Sequence, residues 1–136
     1  MVYDSGMRIT TVKPTNLWDA ARHNDVATIN EMLQAGADIE AVDPKGFSPL
    51  MLAVYSGSRE ASHILLVRGA NPNGRDKVGN TPLMGACFKG YVELVELLLE
   101  CGADASLKNQ SGADALQLAQ MFGQEAIVAV LTKPAS

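Results

Sequence analysis

Residues 77–109 read KVGNTPLMGACFKGYVELVELLLECGADASLKN, and this stretch is one unit of a pattern that recurs along the chain. Its Gly-Ala-Asp string at 102–104 is preceded by Gly-Ala-Asn at 69–71 and by Gly-Ala-Asp at 36–38, each 33 residues apart. A second series, Gly46, Gly79 and Gly112, has the same spacing. Two independent series with one period indicate a stack of repeated structural units.

Each unit carries the signals of two short helices followed by a turn. Thr81 and Pro82 place a hydroxyl side chain and then a proline at the start of the first helix, where each is favoured. Apolar side chains at helical spacing over residues 92–99 predict the second helix. Gly102 then supplies the left-handed residue that ends it. The residues up to the next unit predict an extended, turn-rich finger.

This order of helix, turn, helix and finger at a period of 33 residues closely resembles the ankyrin-repeat family. The resemblance rests on T-P-L at 81–83, V-E-L-V-E-L-L-L at 92–99 and G-A-D at 102–104. It implies an all-α fold, an ankyrin-repeat solenoid of about four helix-turn-helix repeats with projecting β-turn fingers. We predict repeats at 15–43, 44–76, 77–109 and 110–133, within a repeat domain over 15–136. Residues 1–14 are predicted to be a flexible N-terminal arm or a segment laid along the first repeat.

The chain departs from the family pattern where a histidine usually follows the T-P-L triplet. Met51 and Met84 stand there, Trp18 occupies the same row of the first repeat, and Ser58 and Tyr91 replace a second usual histidine. In the family these histidines tie the loops together by hydrogen bonds, so the loops are expected to be less rigid here. We predict that Trp18 packs inside the N-terminal cap and that both methionines fill gaps between repeats.

Composition limits the classes of partner and compartment. The 136 residues carry a net charge of −4, which argues against a nucleic-acid partner. No apolar run approaches the roughly 20 residues needed to cross a bilayer, so no membrane association is expected. The first residues lack the basic and apolar pattern of a signal peptide, which favours the cytoplasm. A periplasmic or secreted location would follow if a signal peptide had been removed.

The register also predicts which side chains line the concave groove formed by the first helices and the fingers. Five of the seven aromatic residues fall on these rows. Exposed aromatic side chains are typical of binding surfaces because they give a large contact area at low entropic cost. The predicted partner-binding residues are Arg22, Lys45, Phe47, Tyr55, Lys77, Phe88, Lys89 and Phe122. For Phe122 the alternative is that it covers the C-terminal cap.

Charge is sorted in the same register. Basic residues map to the groove and fingers, namely Arg22, Lys45, Arg75, Lys77, Lys89 and Lys108. Six glutamates map to the second helices on the back, namely Glu31, Glu60, Glu93, Glu96, Glu100 and Glu125. A negative back favours solubility, whereas a basic groove favours a partner with acidic groups around an apolar patch. Asp43 and Asp76 lie beside the basic residues, and their negative charges weaken the positive potential of the groove.

These patterns predict a monomeric, non-catalytic module that binds another protein through its groove. The alternative is a stand-alone inhibitor or immunity-type protein that blocks a partner enzyme. An enzyme or small-molecule binder is a third reading, with little in its favour. His23 and His63 lie in different repeats without Asp, Glu or Cys at metal-ligand spacing, so we predict no metal, no cofactor and no catalytic residue. Cys87 is predicted to be buried, and Cys101 to be exposed or half-exposed.

Overall fold

The computed structural model describes residues 14–133, which form eight helices in four successive pairs. The helices are α1 (Leu17–Arg22), α2 (Val26–Gln34), α3 (Pro49–Tyr55), α4 (Arg59–Val67), α5 (Pro82–Lys89), α6 (Val92–Glu100), α7 (Ala115–Met121) and α8 (Glu125–Thr132). No β-strand occurs over these residues, so the predicted all-α repeat fold is confirmed. Apart from Pro14, the predicted N-terminal arm lies outside the described residues, as do residues 134–136.

The helices stack in two rows. The first helices of the repeats, α1, α3, α5 and α7, pack side by side, and the second helices, α2, α4, α6 and α8, form the other row. At one equivalent position of the first helices, four alanines are fully buried and allow close approach: Ala20, Ala53, Ala86 and Ala119. Each repeat therefore completes its core only against its neighbours. None of the helices within residues 14–133 has the length and apolar character to cross a bilayer.

The predicted helix starts are confirmed by their capping hydrogen bonds. Ser48 Oγ accepts from the Met51 N–H at 3.2 Å, and Thr81 Oγ1 accepts from the Met84 N–H at 3.3 Å. Met84 also returns a bond, because its Sδ accepts from the Thr81 N–H at 3.4 Å. A methionine thus satisfies the first backbone donor of this helix at the position where the family usually has histidine.

The large side chains of that row differ in burial. Met51 and Met84 are buried, as predicted. Trp18 is only half-buried, and its Nε1 donates to the Ala41 carbonyl oxygen at 2.8 Å. The prediction that Trp18 packs inside the N-terminal cap stays a prediction. The indole N–H needs an acceptor, and the Ala41 carbonyl that supplies it lies in the finger rather than in the core.

Each of the three fingers is organised by one carboxylate or amide oxygen. Oδ1 of Asp43, Asp76 and Asn109 accepts from the backbone N–H groups two and four residues further on, at 2.9–3.1 Å. Neighbouring fingers are also joined, since Asn109 Nδ2 donates to Asn80 Oδ1 at 2.9 Å. These bonds hold the groove side of the fingers in a fixed shape.

The two thiols are expected to react at very different rates. Cys87 is fully buried in α5, and burial raises the pKa of its thiol to about 12, whereas Cys101 is exposed after α6. Only thiolate is nucleophilic, so Ellman's reagent at pH 8 should titrate one thiol of the folded protein rapidly and the second only after denaturation. Cys101→Ser should remove the rapid phase. A rapid phase that persists in this variant would contradict the burial of Cys87.

Candidate functional site

An open pocket of about 390 Å³ lies between the second and third repeats. Its walls come from both the first helices and the fingers, and the lining side chains and glycine are Phe47, Tyr55, Asp76, Val78, Asn80, Gly85, Phe88 and Lys89. Four of the eight predicted partner-binding residues therefore meet in one place: Phe47, Tyr55, Phe88 and Lys89. The 33-residue register brings them together because equivalent positions of stacked repeats fall on one side of the solenoid.

Tyr55 forms the floor of the pocket. It was expected to face solvent, but it is half-buried, and its ring lies against Gly85 of the next first helix. A Cβ atom at Gly85 would overlap the ring, so the absence of a side chain creates the slot that Tyr55 fills. Phe47 packs edge-on against Tyr55, with ring centroids 5.5 Å apart and planes at 87°. The Tyr55 hydroxyl points to Asp76 Oδ2 at 3.5 Å, a weak contact.

Phe88 and Phe122 form the exposed part of the same surface. Their rings stack with centroids 4.4 Å apart and planes at 23°. The two side chains nevertheless remain 50% and 45% exposed. Phe122 thus lies beside the pocket through its contact with Phe88, rather than serving only as a cover for the end of the stack. Two adjacent aromatic rings that stay half in water form a continuous apolar surface beside the pocket.

The remaining predicted contacts do not line the pocket. Arg22 is exposed at the end of α1 and forms an ion pair with Asp19. Lys45 is exposed in the first finger. Lys77 is exposed as well, but its Nζ donates to the Pro44 carbonyl oxygen at 3.1 Å, so it joins two fingers. Lys89 is therefore the basic residue that the structure places in the pocket wall.

Four lining residues were not among the predicted partner-binding residues: Asp76, Val78, Asn80 and Gly85. Val78, which is 53% exposed, and Asn80 lie on the second finger, and Gly85 lies inside α5. A signal for Gly85 was present, because a glycine within a helix is unfavourable by about 1 kcal/mol and usually has a packing reason. Leucine stands at the equivalent positions of the neighbouring repeats, Leu52 and Leu118. Only the stacked structure shows that the missing side chain makes room for a ring from the preceding repeat.

The hydroxyl of Tyr55 gives the protein a predicted alkaline sensitivity. Burial raises the pKa of Tyr55 above its ordinary value of 10, and the Asp76 carboxylate raises it further. Above pH 10 the unfolded chain loses this proton while the folded chain keeps it, so stability falls as pH rises towards the folded pKa. Between pH 10 and pH 11 the free energy of unfolding of the wild type should fall by about 1 kcal/mol more than that of Tyr55→Phe. Urea titrations at both pH values measure this difference, and equal losses in the two proteins would contradict it.

No cluster of His, Cys, Asp and Glu that could hold a metal ion occurs within residues 14–133. The absence of metal, cofactor and catalytic residues stays a prediction. The second helices carry exposed glutamates on the face away from the pocket, and Glu93 of α6 pairs there with Arg59 of α4 at 3.4 Å. Such an exposed pair contributes little to stability. The pocket brings apolar surface together with Lys89, which has no ion-pair partner among residues 14–133.

Comparison with known families agrees with the stacked helix pairs. The sequence model described as ankyrin repeats matches the chain in three copies, over residues 17–109 and 66–136. No curated protein matches the chain. Ankyrin repeats are generally protein–protein interaction modules, and the family is typically non-catalytic. Since the match extends over well more than half of the residues, the chain belongs to the ankyrin-repeat family.

Proposed function

We propose that this protein is a non-catalytic binding module whose partner protein contacts the pocket and the aromatic surface beside it. The observation that carries the proposal is the stacked pair of Phe88 and Phe122, which remain half-exposed at the edge of an apolar pocket. Burying apolar surface contributes about 25 cal/mol per Å², so two rings and a pocket offer a partner a substantial gain. Central aromatic side chains are the usual energetic anchors of protein interfaces.

The rigidity of the surroundings supports the same function. Phe47 and Tyr55 hold each other edge-on, and the finger behind them is fixed by the two hydrogen bonds to Asp76 Oδ1. A surface that is already ordered loses little conformational entropy when a partner binds. We further propose that the protein acts as a monomer in the cytoplasm, on a partner that presents apolar and acidic groups. Sedimentation equilibrium at micromolar concentration tests the monomer.

The partner is best identified by crosslinking from inside the site. A photoreactive benzoylphenylalanine in place of Val78, which is 53% exposed in the pocket wall, should capture the partner in the native cell on illumination. The matched control carries the same group at Val67, which is 62% exposed at the end of α4 and outside the pocket. A protein that crosslinks to the variant labelled at position 78 but not to the variant labelled at position 67 is the candidate partner. It is then purified for titration.

With that partner, Phe88→Ala should weaken binding about tenfold in a calorimetric titration, because it removes half of the exposed aromatic pair. Val67→Ala should leave the affinity unchanged. Circular dichroism establishes that both variants fold. The opposite pattern, with Phe88→Ala neutral and Val67→Ala weakened, would place the partner on the second helices. If the partner is an enzyme, its activity in the complex separates an inhibitor from an adaptor.

A further inference from the structure

We propose that the pocket between the second and third repeats is a subsite for one large apolar side chain of the partner, followed or preceded within a few residues by a carboxylate that pairs with Lys89. The occupant is therefore an acidic and apolar peptide segment, not a cationic one. This inference rests on the proposed function, because it names the chemistry that the binding surface selects. It concerns Phe47, Tyr55, Phe88, Lys89 and the glycine that shapes the floor, Gly85.

The size of the pocket favours a single side chain. Its volume of about 390 Å³ is near the lower end of the roughly 300–1,000 Å³ typical of small-molecule sites, and it is open on one side. Three of the eight lining residues are aromatic: Phe47, Tyr55 and Phe88. A leucine, phenylalanine or tryptophan side chain that enters this space exchanges water for ring contacts, which is the main source of affinity at protein interfaces.

The charges in the pocket wall favour an acidic neighbour for that side chain. The carboxylate of Asp76 is already engaged, because Oδ1 accepts from the Val78 and Asn80 N–H groups and Oδ2 faces the Tyr55 hydroxyl. The ammonium of Lys89 has no hydrogen-bond or ion-pair partner among residues 14–133. A partner that covers Lys89 must supply an acceptor, since a buried charge without a partner is costly. A cation from the partner would instead be repelled by Lys89.

The combination of a lysine at position 89 and a glycine at position 85 is not repeated at the equivalent positions of the other repeats. The positions equivalent to Lys89 hold His23, Ser56 and Phe122, so the adjacent repeats lack a permanent positive charge there. The slot for Tyr55 likewise depends on Gly85, where the neighbouring repeats have leucine. The subsite is consequently specific to the junction of α3 and α5, and it sets the register in which an extended segment would lie along the groove.

A displayed library of random 12-residue peptides tests this assignment on the full chain. Panning on the wild type should enrich peptides with one large apolar residue and an Asp or Glu within three positions of it. Panning on Lys89→Glu should replace the acidic residue with Lys or Arg and leave the apolar residue in place. A synthetic peptide of the enriched sequence should bind Lys89→Gln about fivefold more weakly than wild type, as expected for one charge-assisted contact at a partly covered site.

The outcomes separate this inference from the proposed function. Peptides without an acidic preference, an unchanged consensus on Lys89→Glu, or no enrichment at all would overturn the assignment of the subsite. The binding module itself would still stand if the enriched peptides, or the protein captured from position 78, lost affinity for Phe88→Ala. Ligands that bind Phe88→Ala with the same affinity as the wild type would overturn both the subsite assignment and the proposed function. Circular dichroism and thermal unfolding exclude loss of fold as the cause, since Lys89 and Phe88 are both exposed.

Discussion

Replacing Leu98 with alanine is expected to lower the free energy of unfolding by about 2–5 kcal/mol. Leu98 lies in α6 and is fully buried, so the change removes three carbon atoms from the core and leaves a cavity. The third repeat has neighbours on both sides, and α6 packs against α4 and α8, which gives the surrounding structure little freedom to collapse. Domains of this size are stable by only about 5–15 kcal/mol, so the loss is a large part of the total.

Urea unfolding followed by circular dichroism measures this effect, with Val67→Ala as the matched aliphatic control. Val67 is 62% exposed at the end of α4, and its truncation should change stability by less than about 0.5 kcal/mol. If Leu98→Ala and Val67→Ala had equal unfolding midpoints, the central position of α6 in the stack would be refuted. A broadened transition for Leu98→Ala would indicate that the two ends of the solenoid unfold separately.

Replacing Asp76 with alanine is expected to lower the free energy of unfolding by about 2 kcal/mol. Asp76 Oδ1 accepts from the N–H groups of Val78 and Asn80 at 3.0 and 2.9 Å, and these bonds shape the finger that walls the pocket. Hydrogen bonds to a charged acceptor contribute about 1.5–3 kcal/mol each, but Val78 is exposed and its N–H regains water. The N–H group of the half-buried Asn80 is less accessible to water, so the loss of its hydrogen bond accounts for most of the destabilisation.

The protein supplies its own control for this change. Asn109 occupies the equivalent position of the next finger, and its Oδ1 accepts from the two corresponding backbone N–H groups, those of Ser111 and Ala113, at 3.0 and 3.1 Å. Asp76→Asn should therefore retain most of the stability that Asp76→Ala loses, although the charge is gone. Thermal unfolding of the three proteins at pH 7 measures this order. Equal losses in Asp76→Asn and Asp76→Ala would show that the charge, rather than the shape of the turn, stabilises the finger.

Sequence reasoning predicted which aromatic residues lie near one another but not the detailed form of the pocket that they line. The aromatic residues Phe47, Tyr55 and Phe88 were correctly assigned to one side of the molecule, because their positions follow from the 33-residue period. Their exposure was not predictable in the same way. Tyr55 sinks onto Gly85, whereas Phe88 precedes a repeat with leucine at that position, Leu118, and stays at 50% exposure.

For the basic residues as well, the sequence predicted the region in which they lie but not the contacts that they make. Lys77 and Lys89 have the same charge, and both were predicted to lie on the fingers or the groove and to contact the partner. Lys77 donates to the Pro44 carbonyl and connects two fingers, while Lys89 lines the pocket without a partner among the described residues. A charge count cannot distinguish them, because the distinction depends on which carbonyl of another repeat lies within reach of the side chain.

The fold of this protein follows from information local to each repeat. Helix starts at Ser48 and Thr81, helix stops at Gly69 and Gly102, and the apolar spacing of residues 92–99 all act within one 33-residue unit and can be read from the chain. The pocket arises between units, where Tyr55 of one repeat fills the space left by Gly85 of the next. Such a contact depends on the distance and angle between stacked helices, and only the tertiary structure determines these.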